Sequence, residues 1–120
     1  MSEYTIYHNP RCSKSRETLK LLRDHGVEPE IIEYLVDPPS KIRLRGIIQA
    51  LGIPARELIR RGEKLFAEVG ERSTEYSDAA AIELLTAHAQ LIERPIVVRG
   101  GRAVIGRPPE NVLELIVDEV

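Results

Sequence analysis

The apolar positions of this chain change period twice. Residues 4–8 alternate around Tyr4 and Ile6 and predict a strand. Residues 15–25 place Leu19 and Leu22 at helical spacing, and Gly26 stands where a left-handed residue would stop the helix. Glu30 to Tyr34 return to an extended pattern and predict a second strand. Strand, helix and strand within about 30 residues form a βαβ unit, so the two strands are parallel and the crossover right-handed.

Asp37-Pro38-Pro39-Ser40 breaks the pattern, and Ser40 is suited to cap the helix that follows. That helix, 41–51, carries Ile42, Leu44, Ile47, Ile48 and Leu51 and is closed by Gly52. Pro54 suits the first turn of a short helix over 54–61. Leu65, Phe66 and Val69 suggest a helical turn within a mixed segment, 62–76. Ser77-Asp78 starts a helix reaching about His88, with Ile82 and Leu85 on one face. Residues 40–90 therefore read as a helical block without a strand. Pro95-Ile96-Val97-Val98 is a strand, Gly100-Gly101 a two-residue hairpin signal, and 102–106 the returning strand. Pro108-Pro109 opens a helix over about 110–118, with Val112, Leu115 and Ile116 toward the sheet. The fold class is α/β. The order βαβ, helical block, ββα is that of a thioredoxin-like sheet with a helical insertion at about residues 40–90, within one domain, 1–120. In that architecture Pro95, before the third strand, follows a cis peptide bond that brings Arg94 beside Cys12.

Composition narrows the function classes. With 42% apolar and 30% charged residues, the chain is globular rather than disordered. No apolar run is long enough to span a bilayer, and the first residues lack the basic-then-apolar order of a signal peptide. A soluble cytoplasmic protein without membrane contact is expected. One cysteine allows neither an internal disulfide nor a multi-cysteine metal site, and His8, His25 and His88 lack ligand spacing, so no metal is assigned. The net charge is −2, but 16 of the 17 Lys and Arg fall in three segments, 1–23, 41–64 and 94–107. Exposed helix faces alone can produce some of this alternation, so the 41–64 segment is open to that reading as well as to a functional one. The 94–107 segment holds no acid at all. Three such segments converging in space would enclose a small anion. A sequence pI near 5.9 and 4% aromatic residues argue against a nucleic-acid surface.

The chemistry concentrates in His8-Asn9-Pro10-Arg11-Cys12-Ser13-Lys14-Ser15-Arg16, at the carboxyl end of the first strand, where α/β sheets place their sites. A lone cysteine is most often a small buried hydrophobe. Here the flanks are Arg11, Lys14 and Arg16, and a helix begins at the cysteine. Unpartnered N–H groups and the helix dipole favour a thiolate there, lowering a free thiol pKa of about 8.5. Cys12 is thus the candidate nucleophile in an anion-binding loop. The hydroxyls of Ser13 and Ser15 either donate to the thiolate or cap the helix, capping being the commoner use.

These motifs resemble the glutaredoxin-coupled arsenate reductases (ArsC-type), and most of all their short bacterial members. The resemblance covers essentially the whole chain. Its markers are Tyr7 to Arg16, Tyr34-Leu35, Pro38-Pro39, Leu58-Ile59-Arg60, Glu93-Arg94-Pro95-Ile96-Val97-Val98 and Gly106-Arg107-Pro108. It implies that Cys12 is catalytic and that Arg60, Arg94 and Arg107 hold arsenate and arsenite, with Arg61 the alternative to Arg60. It implies supporting roles for His8, Ser15, Arg16 and Pro95. No bound cofactor is implied; glutathione is the co-substrate and glutaredoxin the protein partner. One cysteine cannot close an internal disulfide, so the second thiol comes from outside. Three other readings compete. One is a glutathione-dependent oxidoreductase acting on another substrate. The second is a regulator of the same fold that binds RNA polymerase, whose Cys-x-x-Cys switch is interrupted here by Ser15. The third is a phosphatase, whose usual Cys-x5-Arg loop Cys12 to Arg16 does not form.

Overall fold

The computed structural model describes residues 3–69 and 76–117. The chain forms two compact units, one of Met1–Asp37 with Arg94–Val120 and one of Pro38–Glu93.

The first unit is a four-stranded sheet in the order β2-β1-β3-β4, with β1 Tyr4–His8, β2 Glu30–Glu33, β3 Ile96–Arg99 and β4 Arg102–Ile105. β1 and β2 are parallel, while β1–β3 and β3–β4 are antiparallel. This is the βαβ…ββα order that the periodicity predicts. The crossover helix α1 spans Ser13–Asp24 and begins two residues earlier than the apolar spacing indicates, because its first turn is polar. Gly26, at φ +80°, ends it as anticipated. β2 stops at Glu33 rather than Tyr34: the N–H groups of Val36 and Asp37 both donate to the Glu33 carbonyl at 2.9 Å and turn the chain. Gly100, at φ +59°, makes the β3–β4 hairpin.

The core of this unit is Tyr4, Ile6, Leu22, Val27, Val97, Val112 and Leu115, with Leu19, Leu21, Val104 and Ile116 packed on it. Alternation along β1 and the helical spacing of α1 put these side chains on facing surfaces. The C-terminal element is not one helix over 110–118. A 3-10 turn, Pro109–Val112, leads into α5, Leu113–Val117, and residue 118 lies outside the described residues. The tightening is visible in the Asn111 N–H, which donates to the Pro108 carbonyl at 3.0 Å.

The second unit contains α2 (Lys41–Leu51), α3 (Lys64–Val69) and α4 (Asp78–Ala87). Ser40 caps α2 by accepting the Arg43 N–H at 3.1 Å, and Ser77 caps α4 through the Ala80 N–H at 3.1 Å. Leu44, Ile47 and Ile48 of α2 and Ala81, Ile82 and Leu85 of α4 are buried, and the two helices pack on each other. The expected helix over 54–61 is shorter, a 3-10 turn of Ala55–Leu58. Its later backbone groups pair elsewhere. Ile59 bridges Ile92, the Arg60 N–H donates to the Leu91 carbonyl at 2.6 Å, and the Glu93 N–H donates to the Leu58 carbonyl at 2.8 Å. The block is therefore helical except for this one isolated β-bridge among the described residues. The helical turn expected within 62–76 is α3, and residues 70–75 of that segment lie outside the described residues. Among the described residues no helix is long and apolar enough to cross a membrane.

Candidate active site

Cys12 is the N-cap residue of α1, with extended backbone (φ −92°, ψ 123°). A capping side chain normally accepts N–H groups two and three residues on. Those belong to Lys14 and Ser15, and the sulfur faces them without a fully formed cap hydrogen bond. The thiol is partly buried, which pushes its pKa up. The Ser15 N–H, the hydrogen-bonded Arg94 guanidinium and the Lys14 N–H outweigh that, so its pKa lies below the ordinary thiol value. Arg107 adds an Nη2 contact to the sulfur at 3.6 Å.

The loop before the helix is held by side chains that fold back on it. The Asn9 carbonyl accepts the Cys12 N–H at 2.9 Å, and Asn9 Oδ1 accepts the Arg11 N–H at 3.0 Å. Ser15 is fully buried and does not cap α1. Its Oγ accepts the Asn9 N–H at 3.0 Å and lies 2.7 Å from His8 Nδ1. His8 is buried, and burial lowers its pKa further than Glu33 raises it, with Arg23 and Arg16 adding to the lowering. A neutral imidazole lets the single Ser15 hydroxyl proton go to Nδ1, with the ring proton on Nε2. Arg16 donates to the Pro10 carbonyl at 2.9 Å, so it braces the loop from outside.

Antiparallel register explains which arginines reach the sulfur. Ile96 pairs with Ile105, so Arg94 before β3 and Arg107 after β4 emerge at the same end of the hairpin. Arg107 Nε donates to the Arg94 carbonyl at 2.7 Å, fixing the two to each other. The peptide bonds Arg94–Pro95 and Arg107–Pro108 are both cis, the first as the fold order anticipates. Arg99 and Arg102 pair at the opposite end. Arg99 Nη1 donates to the Leu115 carbonyl at 2.6 Å and stacks 5.2 Å from the Tyr4 ring centroid, while Arg102 Nη2 lies 3.5 Å from the Glu114 carbonyl. The acid-free segment thus divides, two arginines serving the cysteine and two the last helix.

Arg60 belongs to the second unit. Its Nε lies 3.2 Å from Glu63 and its Nη1 3.7 Å from Glu93. Arg61 is used differently, stacked 5.6 Å from the Phe66 ring centroid and 5.5 Å from that of Tyr76. Charge and spacing did not single out Thr18, Gly106 or Asn111. Thr18 is fully buried and donates to the Lys14 carbonyl at 2.7 Å. A Cβ at Gly106 would lie 2.6 Å from Thr18 Oγ1 and 2.9 Å from Pro95 Cγ. Among the described residues no three His, Cys, Asp or Glu side chains gather as a metal site.

The start of α1 thus sets one cysteine of lowered pKa beside the Arg94 and Arg107 guanidinium groups and the Lys14 and Ser15 N–H groups. Comparison with known proteins points to one family. Residues 7–115 match the model of the ArsC family. A relative from Escherichia coli K12 named "Uncharacterized protein YfgD" is 51% identical over 112 residues, covering 92% of this chain and 94% of that one. An arsenate reductase from Haemophilus influenzae is 45% identical and covers 92% of this chain and 97% of its own. The solved structure of an arsenate reductase from Vibrio cholerae superposes with a TM-score of 0.87 at 47% identity, covering 92% and 95%.

Proposed function

Because this chain belongs to the ArsC family, we propose that it reduces arsenate to arsenite, with Cys12 as the attacking thiolate and glutathione with glutaredoxin as the external thiol source. Arsenate at neutral pH is a tetrahedral oxyanion, and a thiolate approaching it meets like-charge repulsion. Arg94 and Arg107 offset that repulsion with planar, permanently charged donors. The Lys14 and Ser15 N–H groups offer a cradle at the helix start for the same charge. By the family motif Arg60 is the third arginine of the set.

Cys12 sulfur attacks arsenic, and one arsenate oxygen leaves as hydroxide, taken up as water, to give a thio-arsenate adduct. Reduction from As(V) to As(III) needs two electrons. They come from two sulfurs that end joined as a disulfide. Cys12 is one of these sulfurs, and the other belongs to glutathione, since the chain holds no second cysteine. Glutaredoxin then returns Cys12 to the thiol.

The observation that carries this reading is the lowered pKa of Cys12 with Arg94 and Arg107 against its sulfur. The test is arsenite formation from arsenate with glutathione and glutaredoxin, run beside a disulfide substrate and a phosphate ester. Cys12→Ser abolishes turnover while the far-UV circular dichroism stays unchanged. Arg60→Ala, Arg94→Ala and Arg107→Ala each lower kcat/KM. Turnover by Cys12→Ser, or preference for the disulfide or ester, rejects the proposal.

A further inference from the structure

The segment that carries Arg107 is held by a side chain the reaction itself does not use. Asn111, in the 3-10 turn after β4, points its carboxamide back at the chain. Nδ2 donates to the Ile105 carbonyl at 3.0 Å and to the Arg107 carbonyl at 3.1 Å. One NH2 group thus ties the residues on either side of Gly106. Gly106 is seated in turn by its N–H, which donates to the Pro95 carbonyl at 2.8 Å, and by the close approach of Thr18. From this fixed turn the Arg107 guanidinium reaches the Arg94 carbonyl and the Cys12 sulfur.

We propose that Asn111 is a positioning residue that acts through Arg107, setting the guanidinium at the height where it meets both the thiolate and an incoming oxyanion. Two donors from one planar group fix the direction of the turn as well as its place. Without them β4 still pairs with β3, but the backbone at Arg107 loses its tether. Displacing a catalytic group by about 1 Å can cost on the order of a hundredfold in rate. The inference rests on the oxyanion-reducing reading for one arm of its test and is independent of it for the other.

The test uses the full chain and Asn111→Leu, which keeps the branching of the side chain's heavy atoms and removes both donors. Asn111→Ser, which retains one short donor, replaces it if the leucine variant does not fold. In the first arm, iodoacetamide alkylates Cys12 and arsenate protects it. Asn111→Leu needs roughly tenfold more arsenate for half-protection. In an Arg107→Ala background the same change costs less than about twofold, because residues that act through one another are not additive. In the second arm, no arsenate is present and alkylation is followed against pH. The midpoint rises in Asn111→Leu, since a guanidinium leaves the sulfur. It does not rise further in the Arg107→Ala background. Equal losses of protection in both backgrounds overturn the proposal, as does an unmoved midpoint. If arsenate fails to protect the unmodified protein, the substrate reading falls, and the pH arm alone decides the role of Asn111.

Discussion

Gly106→Ala tests the seat beneath Arg107 directly. The added methyl would lie 2.6 Å from Thr18 Oγ1, 2.9 Å from Pro95 Cγ and 3.1 Å from Thr18 Cγ2. None of these neighbours yields easily. The Pro95 ring is covalently closed and buried, and Thr18 is fully buried, branched at Cβ and tied by its hydroxyl to the Lys14 carbonyl. Relief must come from the backbone, and overpacking of this kind costs about 1–3 kcal/mol. For a chain of this size each kcal/mol lowers the midpoint by about 3–6 °C, so the expected loss is about 3–18 °C. Thermal unfolding followed by circular dichroism measures it. Thr18→Ala removes two of the three clashes, so Gly106→Ala costs less in that background, and the difference is the coupling between the two positions. A Gly106→Ala protein within about 0.5 kcal/mol of the parent, or the same cost in both backgrounds, refutes the close-packing argument.

Cys12 makes stability depend on pH in a definite direction. Its folded-state pKa is lowered, so the unfolded chain holds the proton longer. The stabilisation is fully present above the unfolded value of about 8.5 and disappears as pH falls through the folded one. The stability difference between the parent and Cys12→Ala should therefore grow as pH rises through that window; a flat or falling difference in urea titrations contradicts the assignment. Arg99→Ala should cost about 1–3 kcal/mol through the lost charged bond to the Leu115 carbonyl and the lost Tyr4 stacking. Its alkylation profile for Cys12 should match the parent, and a shifted profile would place Arg99 in the site after all.

Much of the architecture was legible in local pattern. Alternation in β1, helical spacing in α1, the stop at Gly26 and the turn at Gly100 act over a few residues, and those rules need no knowledge of the rest of the chain. The same holds for Cys12, because a cysteine at the first turn of a helix meets unpartnered N–H groups wherever that helix lies. Local rules failed where backbone groups found distant partners. The segment after Leu58 left its helical course because Leu91 and Glu93 took its hydrogen bonds. Ser15 left the capping role because His8 and the Asn9 N–H lay within reach of its hydroxyl.

By itself the sequence determined most of the elements, their order and the place of the cysteine at the start of α1, since each depends on neighbours along the chain. Only the tertiary structure divided the four arginines of 94–107 between two tasks. Composition cannot separate Arg94 and Arg107 from Arg99 and Arg102. Antiparallel pairing does so, because it sends the outer pair to the end of the hairpin that meets Cys12 and the inner pair to the end that meets α5.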